Sequence, residues 1–176
     1  YVVKFSANDI DIRSNDWINK DIFTLNSQNI ESVSFEKIVL SRSALDSKSS
    51  DSEIETSSGA LDVTWDADGL KNKKLSNNAA IDFIKKIADM KINGIATKQD
   101  IEKIDNSSKP KKFVVSMKNR TKIIYELFKV KGEEDYLLIT SQRKGTYRLP
   151  PLSSKDLIAS SSISFLAGES EKNLDD

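Results

Sequence analysis

The chain has 176 residues, enough for one domain or two small ones, with Lys+Arg 27 against Asp+Glu 27 and a hydrophobic fraction of 38%. Balanced charge removes the long-range attraction on which a polyanion-binding protein relies, and aromatics at 7%, scattered along the chain, make no stacking platform for single strands. The absence of histidine and cysteine excludes Ser-His-Asp, Cys-His, thiolate and zinc-hydrolase chemistry within this chain.

No apolar run approaches the roughly 18–20 residues that span a bilayer. Tyr1 stands where a Met would open a complete chain, so a trimmed fragment is expected, with any signal or anchor upstream of it. Tyr1–Phe5 has the β-branched and aromatic content of a strand, and Ile10 and Ile12 alternate with Asp9 and Asp11. Asp16 caps a short turn through Trp17–Phe23, and Ser27 or Asn29 opens the next strand, which runs from Ile30 to Leu40. Its apolar positions slip phase between Val33, Phe35 and Ile38, Leu40, which predicts a bulge. Residues 41–59 are mostly serine and charge and predict a long mobile connection.

Leu61, Val63 and Trp65 alternate as a strand, and Asp68-Gly69 reads as a turn. A helix follows, capped by Ser76 or Asn77, with Ile81, Ile84, Ile87 and Ala88 on one face, Phe83 and Met90 on its flank, and Asn93-Gly94 as its stop. Thr97-Lys-Gln-Asp100 has the spacing of a capping box for a short second helix through Ile101 and Ile104. After Pro110 the period becomes two, predicting strands at Phe113–Met117, Lys122–Val130 and Tyr136–Thr140. Arg143-Lys-Gly145 predicts a turn into Thr146–Leu149, which Pro150-Pro151 ends. Ser153 or Ser154 caps a short helix through Lys155–Ala159. Ile163 and Phe165 have strand character, and the tail Glu169–Asp176 is acidic.

The expected architecture is α+β: a largely antiparallel sheet with one main amphipathic helix and short helices packed on a face. Lys20-Asp21-Ile22 before Val33-Ser34-Phe35 has an echo in Lys155-Asp156-Leu157 before Ile163-Ser164-Phe165. This divides the chain into residues 1–150, one α+β domain, and 151–176, the start of a possible second repeat unit or a C-terminal tail.

Several residue clusters carry site-like chemistry. Aligning Asp66-Ala-Asp68-Gly69 with a calcium loop leaves Thr64 and Leu75 at the first and last positions, so it reads as a turn. Asp51, Glu53, Glu55 and Glu133, Glu134, Asp135 lie in polar sequence, where solvated charge is expected rather than a catalytic acid pair. Lys109, Lys111, Lys112, Lys118, Arg120 and Lys122 form the most basic stretch, read mainly as a solubilising surface, with anionic lipid or a polyanion as its functional alternative. Trp17 and Trp65 read as core or rim, with sugar stacking as the alternative. No catalytic, cofactor-binding or metal residue is assigned.

With these pieces in order, the chain resembles the bacterial envelope family catalogued as domain of unknown function 4340. The matching pieces are Trp17…Lys20-Asp21-Ile22-Phe23…Ile30…Val33-Ser34-Phe35, the strand ending in Trp65, the helix Ala79–Lys91 with its Ile92-Asn-Gly94 ending, and Ile139-Thr-Ser…Gly145-Thr-Tyr-Arg-Leu149-Pro150. The family's proline before the main helix is missing from Trp65-Asp-Ala-Asp-Gly69. The residues themselves lead to the expectation of a non-enzymatic domain, and the resemblance implies its place on the periplasmic or extracellular side. It also implies a membrane anchor outside this fragment and a protein partner in an envelope or ABC-type transport complex. A periplasmic glycan- or polymer-binding module is the alternative, and neither a cofactor nor nucleic acid is implied.

Overall fold

The computed structural model describes residues 18–43 and 63–168. The expected strands at Tyr1–Phe5 and Ile10–Ile12, the Asp16 cap, Trp17, Leu61, the 44–59 part of the connection and the acidic tail lie outside the described residues. The rest forms a mixed α+β structure with eight antiparallel strands and four short helices. In chain order these are β1 (Ile30–Phe35), β2 (Ile38–Arg42), β3 (Trp65–Asp68), α1 (Asn77–Ala88), β4 (Gly94–Ile95), α2 (Lys98–Glu102), β5 (Lys111–Met117), β6 (Lys122–Lys129), β7 (Tyr136–Thr140), β8 (Arg143–Arg148), α3 (Pro151–Ser160) and α4 (Ile163–Leu166). The sheet order is β3-β2-β1-β5-β6-β7-β8-β4.

Two antiparallel meanders meet at the β1–β5 pair, where Val33 faces Val115 and Phe35 faces Phe113. Strand alternation places Phe35, Leu40, Phe113, Tyr125, Leu127 and Leu138 on one face, all buried. Helices α1, α3 and α4 cover that face. Helix α1 buries Ala80, Phe83, Ile84, Ile87 and Ala88, while α3 and α4 add Leu157 and Leu166 to the same core. Phe83 sits among Phe35 and Phe113, with ring centroids 4.8 and 6.1 Å away, and it rather than Ile81 is the centre of the helix's apolar face. The Ser76 side chain accepts from the Ala79 N–H and caps α1.

Several local expectations are corrected. The phase slip after Phe35 is not a bulge but a hairpin: Phe35 pairs with Ile38, and Glu36 takes φ 50° in the intervening turn. Ser41 and Arg42, expected in the mobile connection, pair with Asp66 and Trp65 as the end of β2. A register shift does occur in β1, at Glu31 against β5. The third strand is Trp65–Asp68, displaced toward the turn, where Gly69 takes φ 90°. Helix α1 ends at Asp89, and Gly94 is not its stop but pairs with Arg148 in β4. Arg143 to Gly145 belong to β8, because the β7–β8 connection is only Ser141-Gln142. Pro151 starts α3 at the position where its missing N–H costs nothing, four residues before the expected Lys155. Ile163 and Phe165 are helical, since Ser162 accepts from the Phe165 N–H and caps α4.

Both sheet edges resist strand addition. The Asn77 side chain takes the Trp65 N–H at 3.0 Å and gives a hydrogen bond to the Val63 carbonyl at 3.2 Å, while Asp66 and Asp68 are exposed on β3. At the other edge β4 is two residues long.

Candidate binding surfaces

The second face of the sheet follows from the registers. One row reads Val39, Ser34, Val114, Ile124 across β2, β1, β5 and β6. The next reads Lys112, Glu126, Ile139, Thr146, and the next Phe128, Leu137, Arg148, Gly94. Among the described residues only the last row is covered. Leaving β4 at the sheet's edge, the chain passes β8 and β7 to reach Val130, which pairs with Ile104. Arg148, on this second face, pairs with Asp100 of α2 and with Asp135 of the β6–β7 turn, both at 3.4 Å, so the crossing lies on the second face. Beneath it Leu137 and Val130 are buried, apart from the main core. Thr97 and Asp100 form the capping box: the Thr97 N–H donates to Asp100 Oδ2 at 2.8 Å, and the Asp100 N–H to Thr97 Oγ1 at 3.2 Å. The Thr97 backbone hydrogen bond is the main reason that the Asp100 carboxyl sits below its ordinary range, with the Thr97 hydroxyl, Arg148 and Lys103 acting in the same direction.

Above that clasp no element of the described residues covers the face. Val39 is 39% and Ile139 36% exposed, Val114 and Ile124 are half-buried, and Ser32, Ser34 and Ser116 lie between and beside them. This surface mixes β-branched side chains with serines, with Asp66 and Asp68 at one edge and the Lys112–Glu126 pair in the row of Ile139.

The sequence clusters fall out differently. Asp66 and Asp68 are strand residues pairing with Ser41 and Val39, and among the described residues no group of acids could hold a metal ion. Glu133, Glu134 and Asp135 each meet a cation, respectively Lys103, Lys155 and Arg148. The hydrogen bond from Lys155 holds the Glu134 carboxyl below its ordinary range. Asp51, Glu53 and Glu55 lie outside the described residues. Trp65 is 6% exposed, with the Arg42 guanidinium 5.6 Å from its ring centre, so its faces are spent on the fold. No aromatic side chain among the described residues is in the exposed class.

The basic stretch is divided between opposite ends of the sheet. Lys111 and Lys112 pair with Glu36 and Glu126, whereas Lys118, Arg120 and Lys122 stand at the β5–β6 turn. Antiparallel order brings Arg143 and Lys144 of β8 to the same end, a grouping invisible without the hairpin registers. A cleft of about 380 Å³ lies between α1 and α3, lined by Lys85, Asp89, Met90, Leu149, Asp156 and Leu157. Its charges alternate in sign, and Lys85, Asp89 and Asp156 are exposed to solvent.

No family model, curated protein or solved structure matches the chain.

Proposed function

We propose that this is a non-enzymatic, extracytoplasmic binding domain of a membrane-anchored bacterial protein. It holds a protein partner of an envelope or ABC-type transport complex against the open sheet face, with α1 as the main amphipathic helix supporting that sheet from behind. The observation that carries the binding part is the uncovered row Val39, Val114, Ile124 with Ile139 beside it, on a sheet whose far end is capped by α2. A face of small and β-branched side chains offers apolar area at low ordering cost, and a partner sheet or helix can lie flat on it. The protected edges argue for docking on the face rather than strand addition. The envelope placement rests on the sequence resemblance alone.

The test is photo-cross-linking in the native bacterium, with a photoreactive residue at Val39 or Ile139 and, separately, at Lys85 on the helical side. Capture of one membrane-transport component from the first two sites only, abolished by Val39→Asp with Ile139→Asp, is the expected result. Recovery in the cytoplasmic fraction, or equal capture from Lys85, would overturn the reading.

A further inference from the structure

We infer that the end of the sheet carrying the β5–β6 and β7–β8 turns docks on an anionic membrane surface. Residues 118–122 and 141–145 contain five cations, Lys118, Arg120, Lys122, Arg143 and Lys144, and no acid. All five are exposed, and none is among the ion pairs of the described residues. The opposite end is the reverse: Glu36, Glu133, Glu134 and Asp135 all meet Lys or Arg there. Among the described residues, then, a net charge of zero conceals one cationic end without paired acids. Glu31 and Asp66, the nearest described acids by register, lie on β1 and β3, outside both turns.

The two turns are held as a platform. In the first, the Arg120 N–H donates to the Met117 carbonyl at 2.8 Å, and the Lys118 N–H donates to the Asn29 carbonyl at 2.9 Å. In the second, the Ser141 N–H donates to the Ile124 carbonyl at 3.0 Å, and the Ile124 N–H returns to Ser141 Oγ at 2.9 Å. Two core tyrosines direct their hydroxyls into it as well, Tyr125 to Gln142 Oε1 at 3.2 Å and Tyr147 to the Lys144 carbonyl at 3.1 Å. The backbones are fixed while the cationic heads remain free.

Neighbouring strands lie about 4.8 Å apart, so the turns are offset sideways by roughly 10 Å, and the registers place Arg143 level with Tyr125, three residues back from Lys122. Their potentials therefore overlap in part at about 0.1 M salt and more fully at lower salt. Charge complementarity selects an anionic partner, and the array's form selects a surface. The turns carry no aromatic ring for stacking on bases and present no helix or long ribbon to enter a nucleic-acid groove. Flexible lysines and arginines grouped at one end of the sheet suit lipid headgroups. Docked by this end, the sheet stands upright on the membrane and the open face looks sideways. The inference does not depend on the partner reading, since the two surfaces are distinct.

The test is co-sedimentation of the full chain, including acid-rich residues 44–62 that join the described parts at Ser43 and Val63, with phosphatidylcholine vesicles lacking or containing roughly one third phosphatidylglycerol. Binding to the anionic vesicles only, fading as salt rises from about 0.1 to 1 M, is expected. Lys118→Ser, Arg120→Ser and Arg143→Ser together lower the partition coefficient roughly a hundredfold, at about fivefold per cation. A control with the same charge change, Lys74→Ser, Lys98→Ser and Lys131→Ser, leaves it unchanged. Equal loss in both triple variants, equal binding to neutral vesicles, no vesicle binding, or tighter binding to duplex DNA at matched phosphate would each overturn the proposal. Matching circular dichroism and urea midpoints exclude unfolding as the cause.

Discussion

Gly69 and Gly132 share a positive φ, 90° and 74°, but not a neighbourhood. A Cβ on Gly69 would lie 2.0 Å from the Lys37 carbonyl oxygen, whereas one on Gly132 meets nothing within 4 Å. Gly69→Ala is therefore expected to cost roughly 2–4 kcal/mol, from strain plus a backbone clash, and Gly132→Ala about 1 kcal/mol from φ alone. Urea denaturation of the two variants separates these contributions, and similar losses would contradict the account. Tyr125 gives a second contrast. Burial pushes its phenol well above the ordinary tyrosine range, so it stays a donor to Gln142. Because Gln142 is exposed and water can replace the lost partner, Tyr125→Phe is expected to cost about 1 kcal/mol or less. Phe83→Ala, which empties a fully buried aromatic site, costs about 3–5 kcal/mol. Composition marks all these residues as apolar or flexible. Only the fold says which of them has a backbone carbonyl within reach.

At the scale of elements, α2 is the part whose sequence signal was most complete. The spacing Thr97 to Asp100 predicted a capping box, and both hydrogen bonds are present. Its role was not legible, because Arg148 reaches Asp100 from 48 positions away. The Asp100 carboxyl has a folded pKa below its ordinary 3.8, so it contributes stability that is fully present above about pH 4 and is lost as pH falls through the folded value. Asp100→Asn is expected to flatten the fall in stability below about pH 4 relative to the parent chain. Thr97→Ala removes about 1 kcal/mol and speeds amide exchange at Leu137 beneath the clasp more than at Leu40. Equal acceleration at both amides would show that α2 does not act as a separate cover. Helix α4 shows the opposite failure of local signal. Ile163-Ser-Phe165 alternates like a strand, but a serine cap and the buried Leu166 turn those residues into a helical turn.

Across the whole molecule, strand order was the least legible quantity. Hairpins such as β6–β7 announce themselves by short connections, but nothing local states that β1 lies beside β5. The candidate surfaces share that limit. The apolar row Val39, Val114, Ile124 collects single residues from three strands, and the cationic end unites two turns more than twenty positions apart. The core, in contrast, is one cluster from Phe23 to Leu166. Phe35→Ala and Leu166→Ala are accordingly expected to lower the midpoint of one and the same cooperative transition, by about 3–5 and 2–5 kcal/mol. A separate early transition for Leu166→Ala would show that the C-terminal helices unfold independently.

The seam between β1 and β5 joins residues about 80 positions apart, so its formation closes a far longer loop than any hairpin in the sheet. Each meander can zip in microseconds, yet neither has its neighbour until that seam forms. Refolding should thus be limited by a late encounter of two half-sheets, on a scale of milliseconds to seconds. During that interval the flanks of β1 and β5 are open to the wrong strand. A nascent chain emerging with β1–β3 first must wait for β5, and crowding by sister chains at that moment would favour exchange of half-sheets between molecules.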